Sequence, residues 1–173
     1  MEATEKRGLT SGGEGSWAIA LVRVAMGAFF LQEGLKQTAS GWIGGNQLAE
    51  QLQKALDNNS ILPPYRYFLA HVALNFEHPL TVLVIIGELA VGSGLVLGLF
   101  TRLTAVVALF MNVNFLLMNG PSPGSGGFDA VFIVGELLLY AFAARQAVSA
   151  DRLLARRGIL SPLLSGAVNH SSS

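Results

Sequence analysis

The chain has 173 residues, of which 51% are hydrophobic and 13% are charged, and its formal net charge is zero. Soluble domains carry about 25% charged residues, so this composition predicts an integral membrane protein of one compact domain. Zero net charge suggests no bulk attraction to nucleic acid, and the lack of cysteine excludes disulfides, thiolate metal sites and a cysteine nucleophile on this chain.

Four apolar segments are long enough to cross a bilayer as helices of roughly 20 residues. Residues 1–16 precede them and are predicted to be a flexible cytoplasmic N-terminus. Because no signal-peptide cleavage site follows the first apolar run, we expect this run to be a retained membrane span. Ser16 is the predicted N-cap of that span. The spans are predicted from about Trp17 to Leu35, from about Pro79 to Phe100, from the tight turn at Thr101 and Arg102 to about Met118, and from about Phe128 to Ala144 after a Gly/Pro/Ser loop.

The connection between the first two spans, residues 36–78, contains two further helical patterns. Leu48, Leu52 and Leu56 recur at four-residue spacing among polar residues, which predicts an amphipathic helix. Residues 65–76 show a second helical pattern with a broad apolar face. These two helices could lie flat on the outer leaflet or cap the bundle.

The placement of lysine and arginine predicts the orientation of the spans. Both termini are expected on the cytoplasmic side of the inner (plasma) membrane, with residues 146–173 as a cytoplasmic tail. Seven basic residues lie on that side, Lys6, Arg7, Arg102, Arg145, Arg152, Arg156 and Arg157, and three on the other, Lys36, Lys54 and Arg66.

Two glutamates, Glu88 and Glu136, lie inside apolar runs, each within a similar pentapeptide: IIGEL at 85–89 and IVGEL at 133–137. An ionised carboxylate near the bilayer centre costs at least a few kcal/mol, so these residues predict either a functional site or a pair with a buried cation, for which Arg23 is the obvious candidate. One negative charge is then left over, and protonation or another donor or ligand would compensate it. The alternative is a purely structural pair that fixes helix register.

Helical spacing predicts which residues share a face with these charges. Counting residues along each span predicts a polar layer of Arg23, Glu88, Asn112 and Glu136 in the middle of the membrane, with Asn112 ranked above Asn114 as the interior residue. The candidate ligand-binding residues are Asn112, Tyr140 and Phe30. The predicted faces are Arg23, Gly27, Phe30 and Gly34 in the first span, a small-residue stripe of Ala90, Gly94 and Gly98 in the second, Thr101, Ala105, Ala108, Asn112 and Asn119 in the third, and Asp129, Glu136, Tyr140 and Ala143 in the fourth.

The histidines and common motifs give no support to several chemistries. His71, His78 and His170 lie outside the predicted spans, so no intramembrane histidine pair could hold a b-type haem. His71 and His78 with Glu77 could bind a metal on the outer face, but their spacing matches no strong motif and favours solvated residues. No P-loop, GxSxG or CxxC is present, so phosphoryl transfer, serine hydrolysis and thiol redox chemistry lack support.

One segment resembles the hallmark of the DoxX-like membrane family: GELAVG at 87–92, followed by LGLF at 97–100 and TRL at 101–103. Gly41, Trp42 and Gly45 in the long connection, with MNVNFL at 111–116, are closer to the DoxD branch of that family, the small membrane subunit of archaeal thiosulfate:quinone oxidoreductase. The resemblance covers about residues 17–145. It implies an all-α membrane bundle of four helices and a quinone-linked redox role.

The leading hypothesis is a membrane subunit that passes electrons from a small sulfur anion such as thiosulfate to the quinone pool. Arg23 would offer positive charge to an anion, Glu136 would exchange protons with quinone, and Glu88 would pair with Arg23. With no obvious electron carrier of its own, the chain would need direct chemistry between substrates, a bound cofactor or a partner subunit. The alternatives are a non-catalytic anchor or assembly subunit and, less favoured for want of broken helices or inverted repeats, a small transporter.

Overall fold

The structure, a computed structural model, describes residues 5–58, 61–120, 125–143 and 150. Regular secondary structure in this part of the chain is all helical, as predicted. The α-helices are α1 (Glu5–Ala39), α2 (Gln47–Asp57), α3 (Pro63–Phe68), α4 (Glu77–Leu97), α5 (Thr101–Asn119) and α6 (Ser125–Phe142). Shorter helical turns occupy Trp42–Gly44 (3₁₀), Leu69–Ala73 (π) and Leu74–Phe76 (3₁₀).

Three helical segments of the described chain are long and apolar enough to cross a membrane: Gly15–Ala39, Pro63–Leu97 and Thr101–Asn119. The fourth predicted span coincides with α6, which is not among these three. Apart from residue 150, the predicted tail 146–173 lies outside the described residues, and so do Ala144, Arg145, Arg152, Arg156, Arg157 and His170.

The first helix is longer than predicted. It begins at Glu5 instead of Trp17, so Ser16 lies inside α1 and does not cap it. Several glycines precede Trp17, but each glycine lowers helix stability by only about 1 kcal/mol. No proline interrupts the segment, so the helix continues through it.

The connection between the first two spans forms a cap on one end of the bundle. The amphipathic helix α2 is confirmed, with Leu52 buried on its apolar face. The second pattern is not a separate helix, because α3, the π turn, the 3₁₀ turn and α4 follow one another as one helical run from Pro63 to Leu97. Leu80 of α4 and Met118 of α5 pack against the cap, whose buried core is Leu52, Ala55, Ile61, Leu69 and Ala73.

The turn between α4 and α5 lies earlier than predicted. Helix α4 ends at Leu97, and Gly98 adopts a left-handed conformation with φ of 67°. The amides of Gly98 and Leu99 donate to the carbonyls of Leu95 and Gly94, which is the Schellman arrangement that ends many helices. Thr101 therefore begins α5 and does not form the turn.

The long helices pack in a closed order: α1 along α4, α4 along α5, α5 along α6, and α6 against α1. The closest approach of α1 and α4 uses Gly27 and Gly92, since a Cβ placed on Gly92 would lie 2.6 Å from the backbone nitrogen of Leu31. The predicted small-residue stripe does not make this contact: Ala90 is exposed, and Gly94 faces Thr104 of α5. The predicted α1 face is confirmed, with Arg23, Gly27, Phe30 and Gly34 all buried.

Candidate functional site

Glu136 on α6 is the most deeply buried polar residue in the described part of the chain, with none of its surface exposed. The Nδ2 atom of Asn112 on α5 donates a hydrogen bond to its Oε1 atom. Its second oxygen, Oε2, is buried without a hydrogen-bond partner. Asn112 is itself only 5% exposed, which confirms that it faces the interior. One oxygen of a buried carboxyl group is therefore left to a proton or a ligand.

A second carboxyl–amide contact lies seven residues away on the same two helices. Asn119 donates from Nδ2 to the Oδ2 atom of Asp129 at 3.0 Å. Because α5 and α6 run antiparallel, both residues are two helical turns from the Asn112–Glu136 pair in the same direction, about 10 Å along the axis. This seam leads from Glu136 toward the end of the bundle that carries the cap.

Aromatic rings lie one helical turn from Glu136. Phe132 precedes it by four residues on α6, and its ring centroid lies 6.0 Å from that of Phe30 and 4.6 Å from that of Phe29. Phe30 is 3% exposed. The planes of Phe30 and Phe132 make an angle of 84°, so the rings pack edge to face and form an apolar aromatic cluster one turn from the carboxyl group.

Glu88 on α4 repeats the carboxyl–amide contact with a different helix. Gln37 of α1 donates from Nε2 to its Oε1 atom at 3.0 Å. Glu88 is 4% exposed, and both its Oε2 atom and the Oε1 atom of Gln37 are buried without a hydrogen-bond partner.

The predicted pair of Arg23 with Glu88 is wrong. Glu88 lies against Gly34, which is eleven residues, about 16 Å of helix, beyond Arg23. Arg23 lies instead one turn beyond Gly27, which contacts Val96 near the end of α4, and it is buried there with other contacts of its own. Ion pairs between described residues join Lys36 to Glu33 and His78 to Glu77, so Glu136 is in none of them either.

Tyr140 is not part of the buried site. Half of its surface is exposed, whereas its neighbour Leu139 is 1% exposed and continues the buried face of Glu136. Residues three apart on a helix are rotated by about 300° and residues four apart by about 400°, so either could follow Glu136 on one face. Packing against α5 and α1 selects Leu139.

The two similar pentapeptides make crossed contacts. Gly87 lies against Met111 of α5 while the adjacent Glu88 meets an amide of α1. Gly135 lies against Met26 of α1 while the adjacent Glu136 meets an amide of α5. In each case the glycine lies against a methionine of one neighbouring helix, and the glutamate accepts a hydrogen bond from a side-chain amide of the other.

Gln37 is the site residue that sequence reasoning missed. It follows Gly34 by three residues on the buried face of α1, and that spacing was the available signal. It was overlooked because α1 was expected to end near Leu35, which placed Gln37 in a loop.

The described residues contain no group of three or more potential metal ligands. His71 stacks on Tyr67, and His78 lies 3.7 Å from Glu77. The outer-face metal site considered for these residues therefore has no set of ligands in the described chain.

Comparison with known proteins gives one match. A family model described as "TQO small subunit DoxD" matches residues 17–160. No curated protein and no solved structure matches the chain.

Proposed function

Because the chain belongs to the DoxD family of small subunits of thiosulfate:quinone oxidoreductase (TQO), we propose that it is a membrane subunit that transfers electrons from a small sulfur anion such as thiosulfate to quinone. The family match supports a membrane subunit of a quinone oxidoreductase. The thiosulfate donor is the more specific part of the proposal and rests on the family description.

The observation that carries the proposal is the state of Glu136. It is fully buried, one oxygen accepts from Asn112 and the other has no hydrogen-bond partner. A buried carboxyl group with one oxygen unengaged can exchange a proton with a quinone oxygen placed beside it. The aromatic cluster of Phe29, Phe30 and Phe132 lies one turn away and would supply apolar contacts to a quinone ring.

We propose that the positive charge of Arg23 stabilises negative charge that develops during the reaction. It lies on the same buried face of α1 as Phe30, two turns away. The chain contains no cysteine and therefore no thiol redox centre. Electrons reach quinone directly from the donor, through a bound cofactor or through a partner subunit.

We propose α6 as the fourth membrane span, because it packs along α5 and carries the buried Glu136. The membrane domain then covers residues 17–145, with the cap at 36–78 outside and the segments 1–16 and 146–173 in the cytoplasm of a cell with an inner (plasma) membrane. The exposed apolar side chains of α1, α4, α5 and α6 face lipid in this arrangement.

Topology reporters test this orientation. A reporter fused after Arg157 should read as cytoplasmic, and one inserted near Asn58, at the end of α2, should read as external, because basic residues favour the cytoplasmic side. The opposite pattern would reverse the orientation. Equal readings would place the two positions on the same side of the membrane and would contradict the three spans predicted between them.

Quinone binding tests the function. Chain purified from native membranes should retain quinone at about one molecule per chain, and membranes that contain the chain and its native partners should reduce quinone with thiosulfate as donor. Matched membranes that lack the chain should show background activity only. A chain without retained quinone, in membranes at background activity, would contradict the proposal and favour the non-catalytic assembly subunit.

A further inference from the structure

The Glu88–Gln37 pair has two acceptor oxygens and too few donors. Gln37 donates one amide hydrogen to Glu88, with 3.0 Å between Gln37 Nε2 and Glu88 Oε1. Glu88 Oε2 and Gln37 Oε1 are both buried without a hydrogen-bond partner. The two side chains contact each other through the Nε2–Oε1 hydrogen bond, so a single positively charged or proton-donating species that binds both side chains would satisfy both oxygens.

The charge at Glu88 also lacks a compensating cation. Arg23 is three helical turns away, and Lys36 lies 3.5 Å from Glu33. Glu33 is close enough to act on Glu88 electrostatically and adds negative potential. Other charged or titratable side chains are described on α4 and on the elements packed against it: Glu50, Lys54 and Asp57 of α2, Glu77 and His78 at the start of α4, and Arg102 at the start of α5.

The pair lies near the end of α1 that meets the cap. Gln37 is two residues from the last residue of that helix and is partly exposed, as is Glu33. The 3₁₀ turn Trp42–Gly44, which follows α1, packs against α4. The partly exposed Gln37 therefore connects the buried Glu88 with the cap end of α1.

We propose that Glu88 and Gln37 bind a small monovalent cation, either a proton or a sodium ion. A carboxylate and an amide carbonyl are the oxygen ligands that hard cations prefer. One positive charge neutralises Glu88, whereas a divalent ion would leave a net positive charge buried at this site. The proposal does not depend on the quinone reaction, since the cation acts on Glu88 whether or not Glu136 exchanges protons.

Thermal unfolding of the purified full chain in lipid nanodiscs tests the site, with tryptophan fluorescence as the signal. Sodium chloride is compared with choline chloride at equal ionic strength, at acid, neutral and alkaline pH. If the cation is sodium, the melting temperature should rise by on the order of 5 °C at a sodium concentration about 100 times the dissociation constant. If it is a proton, the melting temperature should be insensitive to sodium and fall as the pH rises.

Glu88→Gln should remove the dependence of the melting temperature on sodium or on pH, whichever the wild type shows, because the neutral amide no longer needs a cation. Glu50→Gln, an exposed change on α2, should retain it. If Glu88→Gln does not fold, Gln37→Met keeps the length of the side chain without its oxygen and should weaken the dependence. Insensitivity of the wild type to both sodium and pH, or a dependence that Glu88→Gln or Gln37→Met leaves intact, would overturn the proposal.

Discussion

Replacing Gly92 with alanine should lower the melting temperature of the purified chain by roughly 10 °C, from a loss on the order of 3 kcal/mol. The added Cβ would lie 2.6 Å from the backbone nitrogen of Leu31 and 2.9 Å from the backbone oxygen of Gly27. Backbone atoms inside a helix cannot turn aside as a side chain can, so α1 and α4 must separate. Both glutamate sites depend on the position of α1, so this separation disturbs them as well.

Gly15→Ala provides the matched control. Gly15 also lies inside a helix, but nothing lies within 4 Å of its Cβ position. Alanine there should leave stability unchanged or raise it by up to about 1 kcal/mol, since alanine favours helix more than glycine does. If both variants melt at the same temperature, the close crossing of α1 and α4 is wrong. Thermal unfolding in the same detergent measures both.

Features that depend on local pattern could be predicted from the sequence. The four-residue spacing of Leu48, Leu52 and Leu56 predicted α2, because the period of a helix places such residues on one side. The same rule predicted the buried face of α1. Helix ends were predicted less well: the first span was predicted from Trp17 to Leu35, whereas α1 extends from Glu5 to Ala39, because glycine and polar residues lower helix stability without ending a helix.

Features that depend on how helices cross could not be predicted. Asn112 and Glu136 were expected in one layer and are hydrogen-bonded to each other. Arg23 and Glu88 were expected in the same layer, but Glu88 of α4 contacts α1 at Gly34, three turns from Arg23. Counting residues from assumed helix ends treats the helices as parallel and level. The crossing at Gly27 and Gly92 instead places the cap end of α1 against the middle of α4, which brings Gln37 to Glu88.

The exchange of Glu136 for glutamine should suppress quinone reduction by about 100-fold to about 10,000-fold, the usual loss when a general acid or base is removed. The fold should persist, because the amide oxygen of glutamine can still accept the hydrogen bond from Asn112. What glutamine cannot do is exchange the carboxyl proton from the oxygen that has no protein partner. The measurement is thiosulfate-dependent quinone reduction by membranes with native partners, normalised to the amount of folded chain.

Two further variants separate the proton role of Glu136 from a general effect of charge. Glu50→Gln, on the exposed side of α2, removes the same charge far from the rings of Phe30 and Phe132 and should keep the wild-type rate. Glu88→Gln should change stability or its cation dependence while folded chain retains its rate, because Glu88 meets α1 and Glu136 meets α5. If Glu136→Gln reduces quinone as fast as the wild type, the proton passes elsewhere and Glu136 is a structural partner of Asn112. If Glu88→Gln and Glu136→Gln slow the reaction equally, the two carboxyl groups share the proton transfer.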